Sequence, residues 1–314
     1  MTRVLVLMDF SAAALGALRV ARAAFPESRP TVLHVVPSLP VGRVTGTDAV
    51  PEVGAHPEWY VQEREQLEAL GGGELALGHP AGEALERARA GECDVIALGT
   101  AGRRGLSRLL LGSVAEEVIR ESPVPVLSVH SPDAGDHQPL PVVSRRRWLR
   151  ALRDLDQEAE APAPRVLVLM DFSPAAQRAA DFVRAHLLGA EVEWLHVVDP
   201  ASLVVPFSLP EVPDPPLRGV SSALLEERNA AWERGARARM ARLGGGEVVR
   251  GDPAQVALDR AASGEYDLLA IGTSGKGGLS RLMLGSVALR VVRESPVPVL
   301  TARDVAGGGA EEKR

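Results

Sequence analysis

Short unbroken apolar runs alternate along the chain with longer segments whose apolar positions recur at helical spacing. The first run, Val4–Met8, contains no polar position, as expected of a strand buried on both faces of a parallel sheet. Ser11 stands where a helix N-cap is wanted, and Ala- and Leu-rich sequence follows to about Phe25. A second strand is predicted over Thr31–Val36 and a helix over Pro57–Leu70, ending at a glycine triplet, Gly71–Gly73. A short third strand covers Gly73–Gly78. The next helix has Pro80 in its first turn and Gly91 past its end. Asp94–Gly99 forms a fourth strand, a helix runs from about Ser113 to Glu121, and the last strand spans about Val124–Val129. Strands alternating with helices predict an α/β fold built on a doubly wound parallel sheet.

The pattern then repeats. Arg3–Ser11 (RVLVLMDFS) recurs as Arg165–Ser173, and Leu33–Val36 as Leu195–Val198, both at an offset of 162 residues. From Gly78 onward the offset is 173, so the second copy carries 11 extra residues, in or near the Pro-rich stretch 199–219. The expected organisation is a first domain at 1–131, a linker at 132–164, a second domain at 165–304 and a disordered tail at 305–314. Within the linker, Trp148, Leu149, Leu152 and Leu155 mark an amphipathic helix. The last strands, about Val124–Val129 and Val297–Ala302, are expected to pair within one chain as a pseudo-dimer. Such pairing would cover two edges otherwise open to aggregation.

Net charge is −6 over 314 residues, which argues against a nucleic acid or an anionic membrane as partner. The single cysteine, Cys93, excludes an internal disulfide framework, and no apolar run approaches a membrane span. A soluble, cytoplasmic protein is expected. Cys93 aligns with Tyr266, which points to a structural thiol rather than a shared nucleophile. His34 and His196 recur with no second ligand nearby in sequence and read as structural. The Gly272–Gly278 stretch lacks the P-loop spacing, since Lys276 precedes Gly277.

Chemistry concentrates in one segment. Gly99–Val114 and Gly272–Val287 agree at 12 of 16 positions and share the spacing Gly-x2-Gly-x9-Gly-Ser. Each begins at a strand end and leads into a helix. A helix N-terminus offers unpaired N–H groups and a positive dipole end, and glycine lets backbone approach oxygen. Gly99, Gly102, Gly112 and Ser113, with charge from Arg103 or Arg108, therefore read as an anion site, duplicated in Gly272, Gly275, Gly285 and Ser286. The plainer alternative is that these glycines only shape a turn. Asp9 and Asp171 end the first strand of each half, where a carboxylate could hold an amino group or a metal, or else help cap the following helix.

These pieces together, with "GHPA"/"GDPA" and the closing "SPVPVL", make each half resemble a universal stress protein domain of the nucleotide-binding subclass. The resemblance implies two tandem Rossmann-like domains, each with a five-stranded parallel sheet of order 3-2-1-4-5. It implies ATP as ligand, often with Mg²⁺ or Mn²⁺. It places Asp9 and Asp171 at the adenine amino group and the backbone of Val35 and Val197 against adenine. Gly99, Gly102, Gly112, Ser113 and Val114 would line ribose and phosphates, as would Gly272, Gly275, Gly285, Ser286 and Val287. Arg104 becomes Gly277 and His79 becomes Asp252, differences compatible with unequal affinity. Hydrolysis needs a positioned water and a base, and the glycine segments supply no evident base. The expectation is a stress-linked ATP-binding sensor or regulator with little or no turnover. A metal-dependent slow hydrolase or nucleotidyl transferase using Asp9 or Asp171, and a nucleotide-free dimerisation scaffold, stay open, as does a homodimer of whole chains.

Overall fold

The computed structural model describes residues 1–37, 58–100, 111–130, 163–199, 222–273 and 284–304. In the first half these form β1 (Val4–Met8), α1 (Ala12–Ala24), β2 (Thr31–Pro37), α2 (Glu58–Ala69), β3 (Glu74–Gly78), α3 (Pro80–Arg89), β4 (Val95–Gly99), α4 (Ser113–Glu121) and β5 (Val126–Val129). The second half repeats the order. It has β6 (Arg165–Leu169), α5 (Pro174–His186), β7 (Glu191–Val198), α6 (Ser222–Arg242), β8 (Glu247–Arg250), α7 (Pro253–Ala262), β9 (Leu268–Gly272), α8 (Ser286–Glu294) and β10 (Val299–Ala302). The expected linker helix and tail lie outside the described residues. No described helix is long and apolar enough to cross a membrane.

All ten strands join one sheet, ordered β3-β2-β1-β4-β5-β10-β9-β6-β7-β8. Within each half the order is the expected 3-2-1-4-5, with parallel neighbours. The halves meet where β5 and β10 pair antiparallel, with Leu127 opposite Leu300. Two side-chain bonds flank that centre symmetrically. Ser128 Oγ donates to the Val299 carbonyl at 3.0 Å and Thr301 Oγ1 to the Val126 carbonyl at 3.3 Å. Both strands begin two residues later than the apolar pattern suggests, because Pro125 and Pro298 have no N–H to give a ladder.

The all-apolar strands are explained by the helices on both faces. Val4, Val6 and Met8 pack toward α1, while Leu5 and Leu7 face the opposite layer with α3 and α4. Each apolar layer continues across the β5–β10 seam, the first through Leu127 and Leu300, the second through Val126 and Val299. Period-2 alternation therefore divides a uniformly hydrophobic sequence into two cores. The caps follow the sequence too, for Ser11 Oγ accepts from Ala14 N–H and Ser173 Oγ from Ala176 N–H, each at 3.2 Å. These contacts fix where α1 and α5 start, beside the carboxyl ends of β1 and β6.

Candidate functional site

Asp9 directly follows β1, and Asp171 follows β6 after Met170. Asp9 Oδ1 accepts the Ser11 N–H at 3.0 Å, and Asp171 Oδ1 accepts that of Ser173 at 2.9 Å. Each carboxylate thus holds the backbone entering its helix, the capping role weighed from the sequence, while staying partly exposed at the mouth of the sheet. The intervening residue adopts a conformation that side chains seldom take, with φ 60° at Phe10 and 63° at Phe172. A left-handed non-glycine residue costs about 1–2 kcal/mol and persists only where its surroundings fix it. Here the ring of each phenylalanine lies 4.8 Å from a buried histidine, His34 or His196. That histidine's Nδ1 is 2.6 Å from the carbonyl of Met8 or Met170, just before the aspartate. The carbonyl can only accept, so Nδ1 carries the proton. Both histidines are structural clamps on this corner.

The glycines divide into two kinds. A Cβ on Gly99 would lie 2.6 Å from Ala14 N and 2.7 Å from Ala13 C, and one on Gly272 would meet Ala176 N at 2.5 Å. The space at these positions is occupied by the first turn of α1 or α5, so glycine is required for packing between elements far apart in sequence. Gly112 differs, since among the described residues a Cβ there would meet only the Thr100 carbonyl, at 3.3 Å. Gly112 is the N-cap of α4 and Gly285 of α8, and neither has a side-chain capping bond among the described residues. Their own N–H groups go to Thr100 and Thr273, at 2.9 and 2.7 Å. Ser113 and Ser286 are exposed in the first turn, followed by half-buried Val114 and Val287. A glycine-capped helix end with a hydroxyl beside it can receive an anion. Val35 lies one residue beyond the last matched pair of β1 and β2, and Val197 two beyond that of β6 and β7, each in register with its aspartate. Gly102, Gly275, Arg103 and Arg108 lie outside the described residues.

Thr100 and Thr273 were not singled out from the sequence. Their N–H groups donate to Val129 and Ala302, and their carbonyls receive the glycine N-cap. They tie the last strand of each half to the helix end that bears the site. The signal was present, as both copies read Gly-Thr. Phe10 and Phe172 were legible only as a repeated Asp-Phe-Ser. Among the described residues no three His, Cys, Asp or Glu side chains are grouped to hold a metal ion.

A cavity of about 570 Å³ lies at the opposite, amino ends of β1–β4, lined by Arg3, Arg29, Arg87, Glu74 and Cys93 among others. It lies at the other end of the strands from Gly99 and Gly112. Burial pushes the Cys93 thiol up to about 11, which suits an inert thiol.

The chain matches the universal stress protein family over residues 1–130 and 163–303. A universal stress protein of Mycobacterium tuberculosis H37Rv is 31% identical over 215 residues, 68% of this chain and 62% of that protein's length. One from Methanocaldococcus jannaschii is 49% identical over 59 residues, 19% of this chain and 35% of its own. A universal stress protein structure from Archaeoglobus fulgidus DSM 4304 superposes with a TM-score of 0.53 at 20% identity, covering 96% of this chain and 98% of its own. A functionally unknown protein from Pseudomonas aeruginosa PAO1 gives 0.55 at 15% identity, with 96% and 92% covered. These two likenesses speak to the fold.

Proposed function

The chain belongs to the universal stress protein family, and from that premise we propose that it binds ATP or a related adenine nucleotide, one molecule per half, as a stress-linked sensor or regulator with little or no turnover. The observation that carries this reading is the duplicated corner at the carboxyl ends of the strands. Each half offers an aspartate at the end of its central strand and a helix end capped by glycine, with no side-chain cap among the described residues. The phosphates lie against Gly112, Ser113 and Val114, or Gly285, Ser286 and Val287. Gly99 and Gly272 let the corner close behind them, and Gly102 and Gly275 complete the segments. The adenine amino group donates to Asp9 or Asp171, beside the backbone of Val35 or Val197. An accompanying Mg²⁺ or Mn²⁺ would take its ligands chiefly from phosphate and water.

The test starts with protein purified without added nucleotide. It is denatured, and released small molecules are identified and counted per chain by chromatography and mass spectrometry, followed by ATP titration of the stripped protein. Adenine nucleotide, or ATP uptake on titration, that falls in Gly102→Val and Gly275→Val and vanishes in the double variant is the expected result. A folded protein that carries none and takes up none ends the reading. Turnover near that of dedicated enzymes, about 1 s⁻¹ or more, would end its regulatory half.

A further inference from the structure

The two corners share a backbone but not an electrostatic surround. The first turn of α4 holds Glu116, followed by Glu117; the matching positions of α8 are Leu289 and Arg290, and its first turn has no acid. Glu117 sits 3.8 Å from His79 at the start of α3. In the second half that pair is exchanged in sense, with Asp252 3.2 Å from Arg290. A third exchange lies on the other wall. Glu63 reaches from α2 to 3.5 Å from His34 Nε2, across the ring from the Nδ1 that meets the Met8 carbonyl, and the second half has buried Ala236 in its place. A fourth follows one turn on, where Gln66 becomes Arg239, whose guanidinium lies 4.0 Å over the Phe172 ring.

Three exchanges run the other way. Glu233 replaces Tyr60 on the same helix, but its carboxylate is held by Arg237 and Arg250. Asp252 replaces His79, but its carboxylate is held by Arg290. Gly277 replaces Arg104, outside the described residues. The balance still makes the first corner the more acidic. An acid in a helix's first turn also competes directly with a phosphate for the same dipole end, because both are stabilised by the same unpaired N–H groups.

We propose that the two halves bind nucleotide unequally: the second is the tight site for a polyphosphate, and the first is weakened by Glu116, Glu117 and Glu63. This rests on the adenine nucleotide reading. Each charge beside a helix end changes affinity by a factor of roughly 2 to 5. The three or four exchanges together should separate the sites by about tenfold or more.

Calorimetric titration of the full chain with ATP tests it. Wild type should show one tight site and a second at least about tenfold weaker. E116L/E117R, which copies the second half into the first, should strengthen the weak site to within roughly threefold of the tight one and leave the tight one unchanged. The reciprocal L289E/R290E should weaken the tight site alone. Glu116 and Glu117 are half-buried, whereas Leu289 packs against the core and Arg290 holds Asp252, so melting curves check that L289E/R290E is folded, and E116L/E117R carries the test on its own if it is not. The gap should narrow in high salt, where exposed charges are screened. Two equal wild-type sites, or a weak site indifferent to E116L/E117R, overturn the inequality while leaving nucleotide binding intact. Folded wild type that takes up no ATP overturns both.

Discussion

Phe10 and Phe172 share a left-handed φ, their histidines make the same 2.6 Å contact, and Gly99 and Gly272 admit the same helix turn at 2.6 and 2.5 Å. At the other end of the same strands the halves part company. Arg3 and Arg165 each donate a backbone N–H to an aspartate, Asp94 and Asp267. Beyond that shared bond, the Arg3 side chain turns to Asp94 while that of Arg165 turns to Glu193, at 2.7 Å. Glu193 in turn accepts the Tyr266 hydroxyl at 2.6 Å. In the first half Thr31 and Cys93 stand in those two places, beside the open 570 Å³ cavity. The carboxyl ends are held by backbone demands that few residue types meet: a strained φ, a missing Cβ, a carbonyl beside a histidine. The amino ends ask only that charges be paired and volume filled, and several combinations do that.

Gly99→Ala and Gly272→Ala test the contrast most severely. The added carbon meets backbone, which cannot rotate aside, so each should cost about 3 kcal/mol or more, toward the upper end of overpacking effects. Gly112→Ala, which among the described residues meets one carbonyl at 3.3 Å, should cost under about 1 kcal/mol. Urea unfolding of the three variants gives the ranking. Equal losses would show that the close approach to α1 and α5 is relaxed at little cost.

Tyr266 sharpens the amino-end side. Tyr266→Cys, which imports the first half's residue, removes a buried ring and should cost about 2–4 kcal/mol, while Tyr266→Phe loses one hydroxyl bond, about 1 kcal/mol. Burial, with the Glu193 bond behind it, pushes the phenol up to about 12. The neutral phenol is thus favoured in the fold. Its contribution is complete below the unfolded value of about 10 and declines as pH rises from there to about 12. Wild type should lose stability in that window, and Tyr266→Phe should lose less. Parallel alkaline curves would remove Tyr266 from the account.

Much of this was open to reading from the sequence. The strands announced themselves because both faces are covered, so apolar runs were unbroken. Ser11 and Ser173 could be read as caps because capping is local. The repeated glycine spacing marked where strand passes to helix. What stayed hidden depends on partners distant in the chain. Nothing near Gly99 says that the backbone of Ala13 and Ala14 lies against it. A phenylalanine carries no mark of a left-handed φ, which glycine would have advertised. The histidine's bond to Met8 joins residues 26 apart, so His34 could be set aside as a catalyst but not assigned its clamp.

The smallest effect expected concerns acid. The Arg3 guanidinium bound to Asp94 holds that carboxyl below its usual range, and the Tyr266 hydroxyl, then Arg165, does the same for Glu193. A depressed carboxylate favours the fold wherever it is ionised, so its contribution is present above the unfolded values of about 3.9 and 4.3 and is lost as pH falls through the lower folded ones. Both groups face solvent in part, and screening keeps each contribution below about 1 kcal/mol. Urea midpoints at pH 7 and pH 3 should therefore differ less in Asp94→Asn and in Glu193→Gln than in wild type. The two reductions should add in the double variant, since the sites lie in different halves and share no partner. Additivity would mean that each half meets its amino-end charge requirement independently, which is what allows those ends to diverge. Strong coupling would instead tie the two ends together across the β5–β10 seam and leave their difference in need of another cause.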